Sequence, residues 1–261
     1  MYAPLGMPLP GETPEVRAVR ELSEGVVRRC MELTESPGEA TVDHLVGLAA
    51  LVAELKRIEP LAKRCSWVLQ PLYAYDPEDP GVELTRAARA RGVETQLITR
   101  PSTVRTHPLL SSIFPATLLG PVFLRAMLVD ERYAIIGGPD DLEGNRTSWY
   151  TDDRATVSAV AELWHATVPL CAPILPLGAR PPLTERQLDV ARLLCVGEKD
   201  TVIARQLTLS PRTVEREVSA ILAALGAGSR AEAVLLMRGR GVNGGWLGEA
   251  PRQSTRRRSS R

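Results

Sequence analysis

Residues 169–182 read PLCAPILPLGARPP, with five prolines in fourteen positions. Each proline fixes φ and lacks an N–H, so neither a helix nor a central strand can run through this stretch. The chain is divided there, and its two sides carry different apolar periods. Short apolar runs alternate with amphipathic stretches before the break, and the spacing is helical after it. Charge divides at the same place. From Pro181 to Arg261 there are 14 Lys/Arg against 8 Asp/Glu, a net of +6, whereas the remainder holds 18 against 23, a net of −5. Only the C-terminal part suits a polyanion. We expect a helical leading segment over 1–64, an α/β domain over 65–170, a Pro-rich linker over 171–182, a helical domain over 183–241 and a basic disordered tail over 242–261.

Several classes are excluded early. An apolar share of 44% in 261 residues is ordinary for a folded chain. The longest apolar run, Val46 to Ala53, falls well short of the ~20 residues of a membrane helix. The first residues carry neither a basic nor an apolar export region, so a cytoplasmic protein with no membrane partner is expected. Cys30, Cys65, Cys171 and Cys195 form no CxxC pair and the three histidines are scattered. No metal site, cofactor or disulfide framework is expected.

After the linker, Thr184 and Gln187 form a capping-box pattern ahead of Leu188, Ala191, Leu194 and Cys195, and Gly197 ends that helix. Asp200 is placed to cap a short second helix carrying Val202, Ile203 and Leu207. A three-residue turn leads to Ser210-Pro211, a cap followed by proline at the first helical position. The third helix offers Val214, Val218, Ile221, Leu222 and Leu225 to a core, and leaves Arg212, Thr213, Glu215, Arg216 and Ser219 towards solvent. Gly226 ends it, and Ser229 caps a fourth helix with Ala233, Val234 and Leu236. Two short helices around a tight turn, the second exposed and Arg-bearing, form a helix-turn-helix; a small helical dimerisation module is the alternative.

The pattern Gly197, Ile203-Ala204, Leu207, Ser210, Thr213-Val214, Val218, Ile221, Leu225-Gly226, Ser229-Arg230 and Ala233 resembles the LuxR-type DNA-binding domain over about 57 residues. That resemblance implies contacts to double-stranded DNA from Arg205, Ser210, Arg212, Thr213, Glu215, Arg216, Glu217, Ser219 and Arg230. Glu215, Arg216 and Ser219 fall at the family's base-reading positions; Arg205, Ser210 and Thr213 fall at backbone-positioning ones. Arg216 suits guanine O6/N7 and Glu215 suits cytosine N4. The chain departs from the family by carrying Glu215 for a basic residue, Glu217 for His and Ala224 for Lys. Arg212 and Arg216 are thus balanced by two acids, and a single reader binds weakly. A homodimer follows, with the helix at 41–58 and the fourth reader helix as candidate interfaces. RNA polymerase is a further partner that the family implies. The five-Arg tail PRQSTRRRSSR is a candidate phosphate arm.

Before the linker, Val16, Val19, Leu22, Val26, Cys30 and Leu33 lie at helical spacing, as do Leu45, Leu48, Val52, Leu55 and Ile58. Strands are expected from Trp67 to about Leu72, from Val93 to Ile98, over Val122–Val129 and Tyr133–Ile136, and at Trp149-Tyr150. Helices are expected from Pro80 to Arg91 and from about Arg154 to Val168. Phe123-x-Arg125-(x)4-Asp130, a turn, a strand and Gly137-Gly138 resemble one half of the phospholipase D fold, a half that also serves as the effector domain of TrmB-like regulators. In that motif His is the nucleophile, and Phe123 stands in its place. Phe123, Arg125, Asp130 and Trp149 are candidate lining for a small-molecule or protein effector. The simpler reading is an Arg125–Asp130 ion pair that fixes the turn. His107, in a Pro-bounded loop, is expected to be solvated.

The sequence therefore favours a non-catalytic sensor or dimerisation domain joined to a DNA reader. A protein-interaction module using the helix-turn-helix surface, and a phospholipase D-like phosphodiesterase, are the alternatives.

Overall fold

The computed structural model describes residues 11–35 and 42–239, so the tail expected over 242–261 lies outside the described residues. The chain divides into two compact units. One comprises Met1–Tyr73, Glu78–Thr103 and Leu110–Pro181, and the other Ala74–Pro77, Val104–Leu109 and Pro182–Arg261.

The first unit is built on an eight-stranded mixed sheet. Its strands are β1 (Asp43–Val46), β2 (Cys65–Gln70), β3 (Glu94–Thr99), β4 (Leu118–Leu119), β5 (Ala126–Val129), β6 (Tyr133–Gly137), β7 (Thr147–Thr151) and β8 (Ala172–Pro173). They lie in the order β1-β7-β6-β5-β2-β3-β4-β8. β2, β3 and β4 run parallel, and every other neighbouring pair is antiparallel. Helices α1 (Pro14–Glu35), α2 (Gly47–Ile58), α3 (Pro80–Ala90) and α6 (Arg154–Thr167) cover the sheet; the single turn α5 (Leu110–Ile113) belongs to this unit, and the single turn α4 (Thr103–Thr106) belongs, after Thr103, to the second.

Alternation along the strands decides the layering. Ala126, Leu128, Ala134, Ile136 and Trp149 share one core with Val19, Val26 and Cys30 of α1 and Val157, Val160 and Trp164 of α6. The intervening residues Val129, Ile135 and Tyr150 share another with Ile58, at the end of α2, and Ala88 of α3. The sheet is a middle layer with helices on both faces. Trp67 closes the first core by stacking on Trp164 at 5.1 Å and 7°.

Four expectations need correction. The leading residues are not a separate helical segment, because β1 pairs with β7 and α1 packs in the first core. The helix expected over 41–58 begins only at Gly47, whose φ of +82° turns the chain from β1 into α2. The strand expected from Val122 begins at Ala126, and the Val122 carbonyl instead accepts from Arg100 Nε at 2.6 Å. The Pro-rich stretch also starts within the sheet: Ala172–Pro173 pairs with β4 as an edge strand, where proline is tolerated.

The three-residue β5–β6 loop has Asp130 and Glu131 at φ +54° and +53°, in the left-handed region, and the Arg132 N–H donates to the Val129 carbonyl at 2.9 Å. Asp130 offsets that strain. Its carboxylate accepts from the backbone N–H groups of Lys63, Arg64 and Cys65 at 2.8, 2.8 and 2.9 Å.

The second unit contains α7 (Glu185–Cys195), α8 (Asp200–Gln206), α9 (Pro211–Leu225) and α10 (Arg230–Met237). Val190, Ala191, Leu194, Ile203, Val214, Ile221, Ala233 and Met237 are buried there. His107 belongs to this unit and, contrary to expectation, is only 2% exposed. Its ring lies edge-on to Tyr75 at 5.4 Å, and burial pushes its pKa down to about 4. The loop's prolines announced a turn but not what would close over it.

A histidine held neutral in the fold takes up its proton more readily when unfolded. Its contribution is therefore intact above the ordinary value of 6.5 and is lost as pH falls from there towards about 4. Chemical denaturation as a function of pH should show His107→Gln flattening that decline, whose full size is about 3 kcal/mol for such a shift.

Candidate nucleic-acid interface

The second unit is assembled by its caps. Thr184 Oγ1 accepts from the Gln187 N–H while Gln187 Oε1 accepts from the Thr184 N–H, completing the box that starts α7. α8 starts from Lys199, not from Asp200 as expected; Asp200 is its first helical residue. Thr208, at φ +55°, supports the tight turn. Ser210 Oγ then accepts from the Thr213 N–H at 3.1 Å, with Pro211 as the first residue of α9. Gly226 closes α9 at φ +65°, a conformation that favours glycine, and Ser229 caps α10.

The outer face of α9 carries Arg212, Glu215, Arg216 and Ser219, all exposed, with Thr213 half-buried beside them. Arg205 of α8 and Ser210 are also exposed. Ser210 and Thr213 share a hydroxyl–hydroxyl contact of 2.8 Å, and Ser219 Oγ donates to the Glu215 carbonyl at 2.9 Å. Cations, hydroxyls and one acid therefore stand on a single helical surface. That surface can offer forked N–H donors, hydroxyl donors and one carboxylate acceptor to another molecule.

Two expected members of the set face elsewhere. Glu217 is buried at 7% exposure. Its carboxylate accepts from Gln187 Nε2 at 3.1 Å and Arg216 Nη2 at 3.0 Å, with Arg186 Nη1 at 3.9 Å. The Arg216 hydrogen bond is the main reason that its pKa lies below the usual carboxylate range. Arg230 is spent on the Asp200 carboxylate and the Glu198 carbonyl, tying the start of α10 to the start of α8. Sequence reasoning placed both outside because helical spacing does not reveal a partner thirty residues away. It also missed Gln187 and Arg186 as holders of Glu217, since the capping box marks only the start of α7.

In the first unit, Phe123, Arg125 and Trp149 lie towards one end of β5 and Asp130 lies at the other. The four strand residues Ala126–Val129 lie between Arg125 and Asp130, a span of about 16 Å. The expected Arg125–Asp130 ion pair is not formed. Arg125 Nη2 donates instead to the Thr147 carbonyl at 2.9 Å and to Ser148 Oγ at 3.0 Å. Trp149 is 3% exposed within the core, and Phe123 packs against that core beneath Arg100, at 5.7 Å. Among the described residues, no group of His, Cys, Asp and Glu is arranged to hold a metal ion. No single described helix is long and apolar enough to cross a membrane.

Residues 181–237 match the family of bacterial regulatory proteins, luxR family, and form a LuxR-type helix-turn-helix domain. This domain supports reading the chain as a DNA-binding regulator. No curated protein matches the chain. Among solved structures, the phospholipase D family member Nuc from Salmonella typhimurium is similar with a TM-score of 0.40 and 13% identity, covering 52% of this chain and 99% of that one. TrmBL2, an archaeal chromatin protein described as showing a novel mode of DNA binding, gives 0.38 and 17%, covering 59% and 64%. A phage VqmA bound to DPO gives 0.22 and 28%, covering 40% and 46%.

The pairing of Arg230 with Asp200 and the Glu198 carbonyl has a measurable consequence. Arg230→Ala should lower the stability of the helical unit by about 1 kcal/mol, whereas Arg212→Ala on the exposed face should change it by less than about 0.5 kcal/mol. Thermal denaturation of the two variants beside the parent checks this.

Proposed function

We propose that the protein is a sequence-specific transcriptional regulator that inserts α9 into the major groove of promoter DNA. The observation that carries this reading is the exposed set Arg212, Glu215, Arg216 and Ser219, with half-buried Thr213 beside them, on the second helix of a LuxR-type helix-turn-helix. Arg216 takes guanine through O6/N7, Glu215 accepts from cytosine N4, and Arg205, Ser210 and Thr213 contact the phosphate backbone. Glu217 and Arg230 act from behind this surface.

The α/β unit is proposed as a sensor or dimerisation domain that turns nothing over. Phe123 cannot attack phosphorus, and the guanidinium of Arg125 is taken up by Thr147 and Ser148. A reader with so few free cations gains operator affinity from a second linked copy, so the working form is a homodimer. Its compartment is the cytoplasm, and RNA polymerase and an effector are its proposed further partners.

Selection from random duplexes, followed by gel-shift titration, tests the reading. The full chain should enrich a defined sequence. Its affinity should fall linearly in log–log form with salt, by roughly 0.9 per phosphate contacted. Arg216→Ala should reduce discrimination against a non-specific duplex by roughly 1–3 kcal/mol. Retention of the full ratio by Arg216→Ala would remove α9 from the groove. Sedimentation of the complex should give two chains per duplex; one chain per duplex would refute the homodimer.

A further inference from the structure

The exposed cation at the centre of α9 is held from behind. The Arg216 side chain is 69% exposed, yet its Nη2 donates to Oε1 of Glu217 at 3.0 Å. Consecutive helical residues point about 100° apart, so this contact requires the guanidinium to bend across the helix surface. Glu217 is fixed in turn. Its Oε2 accepts from Gln187 Nε2 at 3.1 Å, and the other end of that amide, Oε1, accepts from the Thr184 N–H at 2.9 Å. A continuous line of hydrogen bonds runs from the cap of α7 to a guanidinium in solvent.

Resting on the reading of α9 as the groove-entering helix, we propose that Glu217 is a positioning residue: held by Gln187, it orients Arg216 for one guanine and so fixes base preference. The chemistry follows from donor count. A guanidinium has five N–H donors in a rigid fork, and one hydrogen bond to Glu217 leaves a further pair for O6 and N7. An arginine already held in place loses less rotamer freedom when it binds a base. The same carboxylate offsets the charge of Arg216 and weakens its attraction to phosphates at unrelated sequences. Both effects widen the gap between the right duplex and the wrong one. Glu217 contributes without touching DNA.

The test uses the full chain and the duplex that the parent enriches from a random pool. Affinities for that duplex and for a scrambled one are measured at one salt concentration for the parent, Glu217→Gln, Arg216→Ala and the double variant. Glu217→Gln should reduce the specific-to-non-specific ratio about tenfold, within the range of one bidentate guanine contact. In the Arg216→Ala background the same substitution should change the ratio less than twofold, because nothing remains to be positioned. Repeating the selection with Glu217→Gln should relax the base position that Arg216→Ala relaxes. A full effect of Glu217→Gln without Arg216, or no effect with it, would overturn the proposal. If Glu217→Gln does not fold, Gln187→Met removes the support while leaving the pair, and should relax that same base; relaxation elsewhere would count against positioning. A parent that enriches no sequence overturns the base-reading assignment of α9 itself, whereas a parent that enriches one and an additive cycle overturn only the role of Glu217.

Discussion

Strands β5, β6 and β7 bury side chains on both faces at nearly every position, and the first unit is organised around satisfying that demand. Leu128 and Val129, Ile135 and Ile136, and Trp149 and Tyr150 are adjacent pairs that point to opposite cores. Strands of this kind are stable only when both faces are covered. α6 is near in sequence, but much of the remaining cover comes from helices far upstream. α1 supplies Val19, Val26 and Cys30 to one face, and α2 ends with Ile58 against the other. The leading residues are therefore part of the α/β unit, and β1 follows them in by pairing with β7.

The same packing explains features that looked chemical in the sequence. A side chain at Gly137 would meet Arg125 Nε at 2.8 Å, and one at Gly138 would collide with Thr147 Oγ1 and press on the Trp149 ring. Close passage of Arg125 and Trp149 is thus sufficient reason for the Gly-Gly pair. Asp130 serves three backbone N–H groups at the far end of β5. The hydrogen bonds shown for Arg125 go to the Thr147 carbonyl and Ser148 hydroxyl. Arg125 and Asp130 are engaged in holding strands and turns together.

Legibility followed the range of the interactions. The reader's helices could be placed from the sequence because their ends are set by local chemistry: Thr184 with Gln187, Ser210 before Pro211, Gly226, and Ser229. The strand-turn-strand around Asp130 was legible for the same reason. β1 was not, since its apolar residues also suit helical spacing and only its pairing with β7 makes it a strand. His107 gave no sign of burial, and Glu217 and Arg230 gave none of their partners at Gln187 and Asp200. The candidate set was drawn more broadly than the exposed face of α9, because an acid and an arginine on a helix look solvent-facing until a neighbouring helix is placed.

Removing Glu217 from the exposed set changes the charge argument. α9 then shows Arg212 and Arg216 against Glu215, but Arg216 remains partly neutralised by the carboxylate behind it. Free positive charge on this surface is low, and phosphate attraction, which is blind to sequence, scales with it. On the proposed reading of α9, such a helix would give up general affinity for DNA and rely on hydrogen bonds to base edges, each of which is lost at a wrong base. Because a genome offers a great excess of unrelated sites, the proposed braced arginine on a weakly cationic helix would leave less of the protein on them. The acidic residues that depart from the LuxR-type pattern are consistent with that balance: Glu215 stands at the surface as an acceptor, and Glu217 stands inside it as a support.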